Sequence, residues 1–254
     1  MPTKTNNYIL FSILGLLLSC NFFTASEKDL TEKNTIFYYQ NTKKTFTGIT
    51  QDFDSNGNII SEYHYLNGKR NGLARVWWDN GQLEFEGNYK NGKKDGIIKG
   101  WFKNGKIAAI RYYKNGLEEG EWKIWHENGN LKEEGYNKKG RKDSLWRWYY
   151  ENGKIWIEAT FSDGLEHGKW KAWHQNGKIR EIINYQNGKK NGLWQEWNEK
   201  GQIISKGLYI SGKENGNWYY FYNNGKLKTE KLYDKGTIIY ELNYDTLGQI
   251  IKNH

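Results

Sequence analysis

Residues 113–136 read YKNGLEEGEWKIWHENGNLKEEGY, and this pattern returns every 24 residues through most of the chain. Gly57, Gly81, Gly105, Gly129, Gly153, Gly177, Gly201 and Gly225 stand at that interval, and Asn precedes all of them except Gly201, which follows Lys200. A second series runs Gly68, Gly92, Gly116, Gly140, Gly164, Gly188, Gly212 and Gly236. A third holds Gly48, Gly72, Gly96, Gly120, Gly168, Gly192 and Gly216, with Ser144 in its gap. Three series in register describe a repeat array, in which each unit buries its apolar surface against its neighbours.

The apolar slots keep the same period. Phe53, Trp77, Trp101, Trp125, Tyr149, Trp173, Trp197 and Phe221 form one aromatic column, and Trp122, Trp146, Trp170, Trp194 and Trp218 form another. Ile59, Leu83, Ile107, Leu131, Ile155, Ile179, Ile203 and Leu227 add an aliphatic column. Two glycine-containing breaks per unit leave no segment long enough for a stable helix. The stretches between them, such as EWKIWH at 121–126, are rich in strand formers. Asn-Gly supplies the two positive-φ positions of a type I′ turn. The reading places that turn at Asn128-Gly129 and a longer connection from Asn115 to Gly120.

The expected fold is all-β, an elongated single-layer antiparallel sheet of stacked 24-residue hairpins. About nine units are expected between residues 35 and 254, the first and last degenerate as capping repeats require. With strands about 4.8 Å apart, each unit advances the ribbon by roughly 10 Å.

The rest of the composition belongs to a leader. Met1, Pro2 and Cys20 are the only residues of their types, and Tyr8 to Leu18 is apolar apart from Ser12. That run is about half of what a membrane-crossing helix needs, so residues 1–19 read as a removable signal peptide. The alternative is an ordinary secretory leader with an incidental Cys. Leu17-Leu18-Ser19-Cys20 resembles the bacterial lipobox, which implies lipid attachment at Cys20 and a membrane-anchored protein of the bacterial cell envelope, facing the periplasm or exterior. Residues 20–34 then read as lipidated Cys and flexible tether. A single Cys excludes an intramolecular disulfide.

The unit G-x-W-x-x-W-x-x-N-G-x-L-x-x-E-x-x-Y-x-N-G resembles the bacterial MORN-repeat variant, the kind found in YwqK-like antitoxin proteins, over residues 46–236. The resemblance implies a single elongated sheet and a binding or membrane-associated role, antitoxin- or immunity-like in one form.

Catalytic chemistry finds no constellation. His126 and His174 share a slot filled elsewhere by Trp78, Phe102, Tyr150 and Tyr222, and two units separate them, too far for one metal ion. Glu62, Glu86, Glu134, Glu158 and Glu230 recur at one slot. Copies roughly 10 Å apart suit cross-strand pairing with Lys better than glycoside hydrolysis. No cofactor, no metal and no enzyme activity are expected. Lys69-Arg70, Lys93-Lys94, Lys138-Lys139, Arg141-Lys142 and Lys189-Lys190 should line one edge. That edge is either a solvated guard against aggregation or a site for anionic head groups.

The aromatic columns are the candidate binding residues: Trp77, Trp101, Trp125, Trp173 and Trp197 in one, Trp122, Trp146, Trp170, Trp194 and Trp218 in the other. Residues three apart in a strand face opposite ways, so Trp122 and Trp125 should lie on opposite faces. The leading expectation is a membrane-anchored scaffold with a protein partner and no nucleic acid. The alternative is a glycan or cell-envelope ligand, since NWYYFYNNGKL at 217–227 is similar to the aromatic-glycine repeats of choline-binding wall modules.

Overall fold

The computed structural model describes residues 24–251. The segment 1–19 expected to be a signal peptide, and Cys20, lie outside the described residues. Apart from one 3-10 turn at Glu27–Asp29, the regular structure is all strand. Strands Ile107–Lys114, Leu117–Trp125, Leu131–Lys138 and Arg141–Tyr149 show the rule, each pairing antiparallel with its predecessor and its successor. The ladder begins at Gly48–Phe53 and ends at Thr237–Asn243. The first of these strands pairs with Ile59–Leu66 and with the short parallel segment Thr24–Ala25. The last pairs with Leu227–Asp234. The sheet is therefore an open single layer, as the repeat requires.

The two Asn-Gly series exchange the roles expected of them. Lys114 ends one strand and Leu117 begins the next, so Asn115 (φ 52°) and Gly116 (φ 85°) alone make the type I′ connection. At Asn128-Gly129 the connection is longer. Gly129 N–H donates to the His126 carbonyl (2.9 Å) and His126 N–H to the Asn130 carbonyl (2.8 Å). Only Gly129 (φ 98°) takes the left-handed conformation there, the signature of a three-residue loop closed by glycine. Asn128 is held for its amide: Oδ1 accepts from Asn130 N–H (2.8 Å) and Nδ2 donates to the Glu151 carbonyl in the next unit (2.8 Å).

The third glycine series lies inside strands. Register slips between the pairs Glu118–Tyr113 and Trp122–Arg111, forming a bulge around Gly120 (φ 115°). A Cβ on Gly120 would stand 3.1 Å from that of Tyr112, so both backbone angle and space select glycine. Ser144 holds the same position at φ 61°.

The N-terminal segment departs from expectation. Residues 24–34 were expected to be tether, yet they are folded onto the first unit. Ser26 caps the 3-10 turn, and its hydroxyl also donates to the Asp52 carboxylate. Glu27 accepts from the Tyr65 hydroxyl and pairs with Arg70 at 3.1 Å. A hairpin of Leu30–Lys33 and Ile36–Tyr39 then sets Phe37 and Tyr39 against Tyr65 and Phe46. Phe46 is fully buried and Tyr65 nearly so. The tether reading failed because few apolar residues follow Phe23 and no repeat pattern is present, whereas the docking is polar and charge-assisted.

The other end is bare by comparison. Six of the seven residues of Thr237–Asn243 are exposed, Ile239 to 58%. Beyond it, among the described residues, the Tyr244–Ile250 bridge and the bond from Ile251 N–H to the Asn243 carbonyl return along its outer side.

Ser144→Gly should stabilise the fold by up to about 1 kcal/mol, read as a higher urea midpoint, since a left-handed serine carries a cost of that order. A midpoint that does not rise would show that the Ser144 hydroxyl bond to Asp143 (2.9 Å) already offsets the strain.

Candidate functional site

Strand alternation sorts the candidate residues onto two faces. Trp122 and Trp125 lie on opposite sides, and the register carries each column along its own side. The first is the ring face, carrying Trp122, Trp146, Trp170, Trp194 and Trp218. The second is the ladder face, carrying Trp77, Trp101, Trp125, Trp173 and Trp197.

The ring face is packed from within. Trp146 and Trp218 are 1% and 2% exposed, so both belong to the core. Trp122 and Trp146 have centroids 6.2 Å apart, Trp146 stacks on Trp148 at 5.9 Å, and Trp194 stacks on Trp218 at 5.2 Å. Their indole N–H groups are also satisfied. Trp122 and Trp148 donate to Glu133 (2.7 and 2.9 Å), Trp194 to Glu181 (2.7 Å), and Trp146 to the Tyr136 carbonyl (3.0 Å). Space for the buried rings comes from a fourth glycine series that sequence reading missed. A Cβ at Gly135 or Gly207 would collide with the ring of Trp146 or Trp218. These glycines have ordinary strand φ, so no turn pattern advertises them.

Cations complete this face. Arg70 lies over Tyr63 at 3.9 Å, Lys94 over Tyr113 at 5.0 Å, Arg111 over Trp122 at 4.3 Å, and Lys190 over Tyr209 at 4.9 Å. Lys142 sits over both Trp146 (4.1 Å) and Trp148 (4.3 Å). Burial lowers the pKa of Lys94 and Lys142, and Arg111 adds to the effect on Lys94. The basic pairs expected at one edge are thereby divided. Lys69, Lys93, Arg141 and Lys189 stay exposed at the type I′ turns, while Arg70, Lys94, Lys142 and Lys190 turn onto the rings.

The ladder face carries the recurring Glu. Glu62 accepts from Gln51 (2.8 Å), Glu86 pairs with Arg75 (3.0 Å), and Glu158 pairs with Arg147 (3.0 Å) and Lys171 (3.8 Å). The Tyr149 hydroxyl donates to Glu134 at 2.6 Å. Cross-strand pairing is thus what this slot does. Alongside the ladder runs an apolar row. Ile97 stands opposite Tyr112, Tyr136 opposite Glu121, Leu145 opposite Thr160, and Leu193 opposite Leu208. Ile97, Tyr112, Tyr136, Leu145 and Leu193 are all exposed, Leu193 to 67%.

The slot shared by histidine and aromatic rings acquires a role. His126 Nε2 donates to the Tyr149 carbonyl (3.2 Å) and His174 Nε2 to the Trp197 carbonyl (2.8 Å). Tyr150 and Trp78 do the same to Trp173 (2.7 Å) and Trp101 (3.1 Å). Each ring clips its unit to the next. Among the described residues, no group of three or more His, Cys, Asp or Glu converges on a metal-sized site, and no helix is long and apolar enough to cross a membrane.

An open sheet built from equivalent hairpins, with a self-packed ring face and a paired ladder face, defines a β-repeat protein. The pattern of the MORN repeat variant matches residues 46–67, 70–91, 94–115, 118–137, 142–163, 166–187, 190–211 and 214–235, more than half of the sequence, and the chain belongs to that family. No curated protein matches it by sequence. Crystal structures of TcdB2-TccC3-Cdc42 and TcdB2-TccC3-TEV align with 85% and 86% of this chain, at 10% identity and TM-scores of 0.20. The chain spans 15% and 16% of those chains, and at such scores the likeness carries no functional argument.

Two outcomes follow from this packing. Gly135→Ala should destabilise the ribbon by about 1–3 kcal/mol through overpacking against Trp146, read as a lower urea midpoint, whereas Gly129→Ala should leave the Trp146 environment unchanged by near-UV circular dichroism. Alkaline titration gives the second. Burial holds the Tyr149 and Tyr209 phenols up at about 12, with Glu134 and Glu214 reinforcing it respectively. The folded chain keeps these protons longer than the unfolded one, whose phenols titrate near pH 10. Their contribution to stability is whole below about pH 10 and lost as pH rises through 12; tyrosinate absorbance and unfolding should move together in that window.

Proposed function

We propose that this protein is a non-enzymatic, lipid-anchored binding module that engages a protein partner along its ladder face. The exposed row Ile97, Tyr112, Tyr136, Leu145 and Leu193 carries the reading. It gives an elongated partner apolar contacts at intervals set by the strand spacing, flanked by charged pairs that would form a polar rim. The ring face offers less, because its tryptophans are covered by their neighbours and by lysine and arginine side chains. Repeat arrays use extended surfaces of this kind for binding.

Attachment of lipid at Cys20 would place that surface at a bilayer. Only residues 21–23 separate Cys20 from the docked segment that starts at Thr24, a reach of at most about 14 Å. A partner would then be met close to the membrane of the cell envelope. An antitoxin- or immunity-like role is one form this binding takes if the partner is a toxin.

The double variant Tyr136→Asp with Leu193→Asp should fold normally, since both side chains are exposed, and should lose a stoichiometric partner cross-linked from membranes by the parent chain. Equal capture by both proteins would reject the ladder face as the binding surface. Separately, Cys20→Ala should release the protein from the membrane fraction or block its processing; a variant still retained and processed would overturn lipid attachment at this residue.

A further inference from the structure

Trp156 breaks the repeat. The equivalent positions hold Ile60, Glu84, Ala108, Lys132, Arg180, Ile204 and Lys228, so the fold asks for no ring here. Alone among the tryptophans it is exposed, to 39%. Its indole leans toward the Tyr150 ring, with centroids 5.9 Å apart and planes inclined by 39°. The two rings form part of the wall of an open cavity of about 350 Å³ at the edge made by the longer turns. His126, Lys132, Trp148, Tyr149, Glu151 and Gln175 complete it.

Two of the rings are fixed in place. The Tyr150 hydroxyl is tied to the Trp173 carbonyl and His126 Nε2 to the Tyr149 carbonyl, so the cavity is shaped before any ligand arrives. The polar groups around it are uncommitted. Lys106, Lys154 and Lys178 spend their ammonium groups on carbonyls of the following turn (2.9, 3.1 and 2.9 Å). The Lys132 ammonium, the Glu151 carboxylate and the Gln175 amide have no such partner within the described protein.

We infer that this cavity is a carbohydrate subsite, taking one pyranose unit of a neutral glycan with its C–H face on Trp156. The chemistry excludes the other ligand classes in turn. A quaternary ammonium suits an aromatic wall, but the Lys132 ammonium in the lining would repel it. A phosphate or carboxylate would meet Glu151. An apolar side chain of a protein partner would cover the rings while stripping water from Lys132, Glu151 and Gln175 without replacing their hydrogen bonds. A pyranose has both halves of the required surface: an apolar face for the indole and a rim of hydroxyls that donate to Glu151 and accept from Lys132 and Gln175. The volume lies at the small end of ligand sites, which fits a single ring of a longer chain. This subsite is independent of the ladder-face reading, since it shares no residue with the apolar row.

The test titrates the folded chain with cellobiose, maltose and chitotriose, following tryptophan fluorescence and confirming by calorimetry. One of these sugars should saturate the protein. Trp156→Ala should weaken that binding at least tenfold with an unchanged melting temperature, because Ala108 shows that the repeat accepts alanine at this slot. Trp156→Phe should restore part of it, and Glu151→Gln should weaken it without abolishing the fluorescence change. The proposal falls if none of the three sugars binds, if binding survives Trp156→Ala undiminished, or if choline chloride binds in their place. It also falls if Trp156→Ala loses the cross-linked protein partner while no sugar binds, which would make Trp156 a protein contact.

Discussion

A single-layer sheet has no opposite layer to cover it, and most of this structure answers that constraint. Side chains must be buried by their neighbours in the same plane. On the ring face the answer is mixed packing, with indoles tilted or stacked on one another and alkylammonium or guanidinium groups laid over them. Lys142 over Trp146 and Trp148 shows the principle. The aliphatic stem covers ring surface while the cation meets the negative π face, so one residue supplies apolar cover and favourable electrostatics together. Full burial then needs room, and Gly135 and Gly207 provide it by removing a side chain beneath Trp146 and Trp218. The ladder face solves the problem differently, through Glu–Arg and Glu–Lys pairs whose partial exposure makes each contribution small.

Periodicity made the architecture readable. Three glycine series, the aromatic columns and the separation of Trp122 from Trp125 follow from a 24-residue interval and the twofold alternation of strands. The turn assignment was less accessible, because Asn-Gly serves two geometries. At Asn115-Gly116 both residues need positive φ, and the first position accepts Lys139, Asp163, Ser211 and Lys235 in other units. At Asn128-Gly129 only the glycine does, yet the Asn recurs more faithfully. Its side chain bonds both within its own turn and to the next one, a demand stricter than backbone angle. The unit that lacks it confirms the point: before Gly201 stands Lys200, and the side-chain Oδ1 of Asn198 accepts from Lys200 N–H and Gln202 N–H instead, each at 3.0 Å.

The ends were legible as degenerate and little more. Sequence alone suggested that both would cap the ribbon. The N-terminal end is closed by segments outside the repeat, through Glu27 on Arg70 and Tyr65 and through the Phe37, Tyr39 and Phe46 cluster. These contacts join residues far apart in sequence and leave no period to detect. The C-terminal strand keeps exposed Ile238, Ile239 and Tyr240, with Tyr240 where the bulge glycine would be. Register there slips by one residue, so the last strand departs from the pattern it terminates.

A repeat protein separates structure from recognition more cleanly than a globular domain. Slots that keep one chemistry in nearly every unit, such as the turn glycines, hold the ribbon together, and changing them costs stability. Slots that tolerate Glu, Ala, Lys, Arg and Ile impose no structural demand. A large ring placed at such a slot, as Trp156 is, gains little for the fold and exposes apolar surface to water. Departures of this kind are where the template leaves sequence free to encode a ligand. The candidate columns chosen for their regularity are for the same reason weaker guides to binding, and the buried Trp146 and Trp218 show how completely a regular slot can be absorbed into the core.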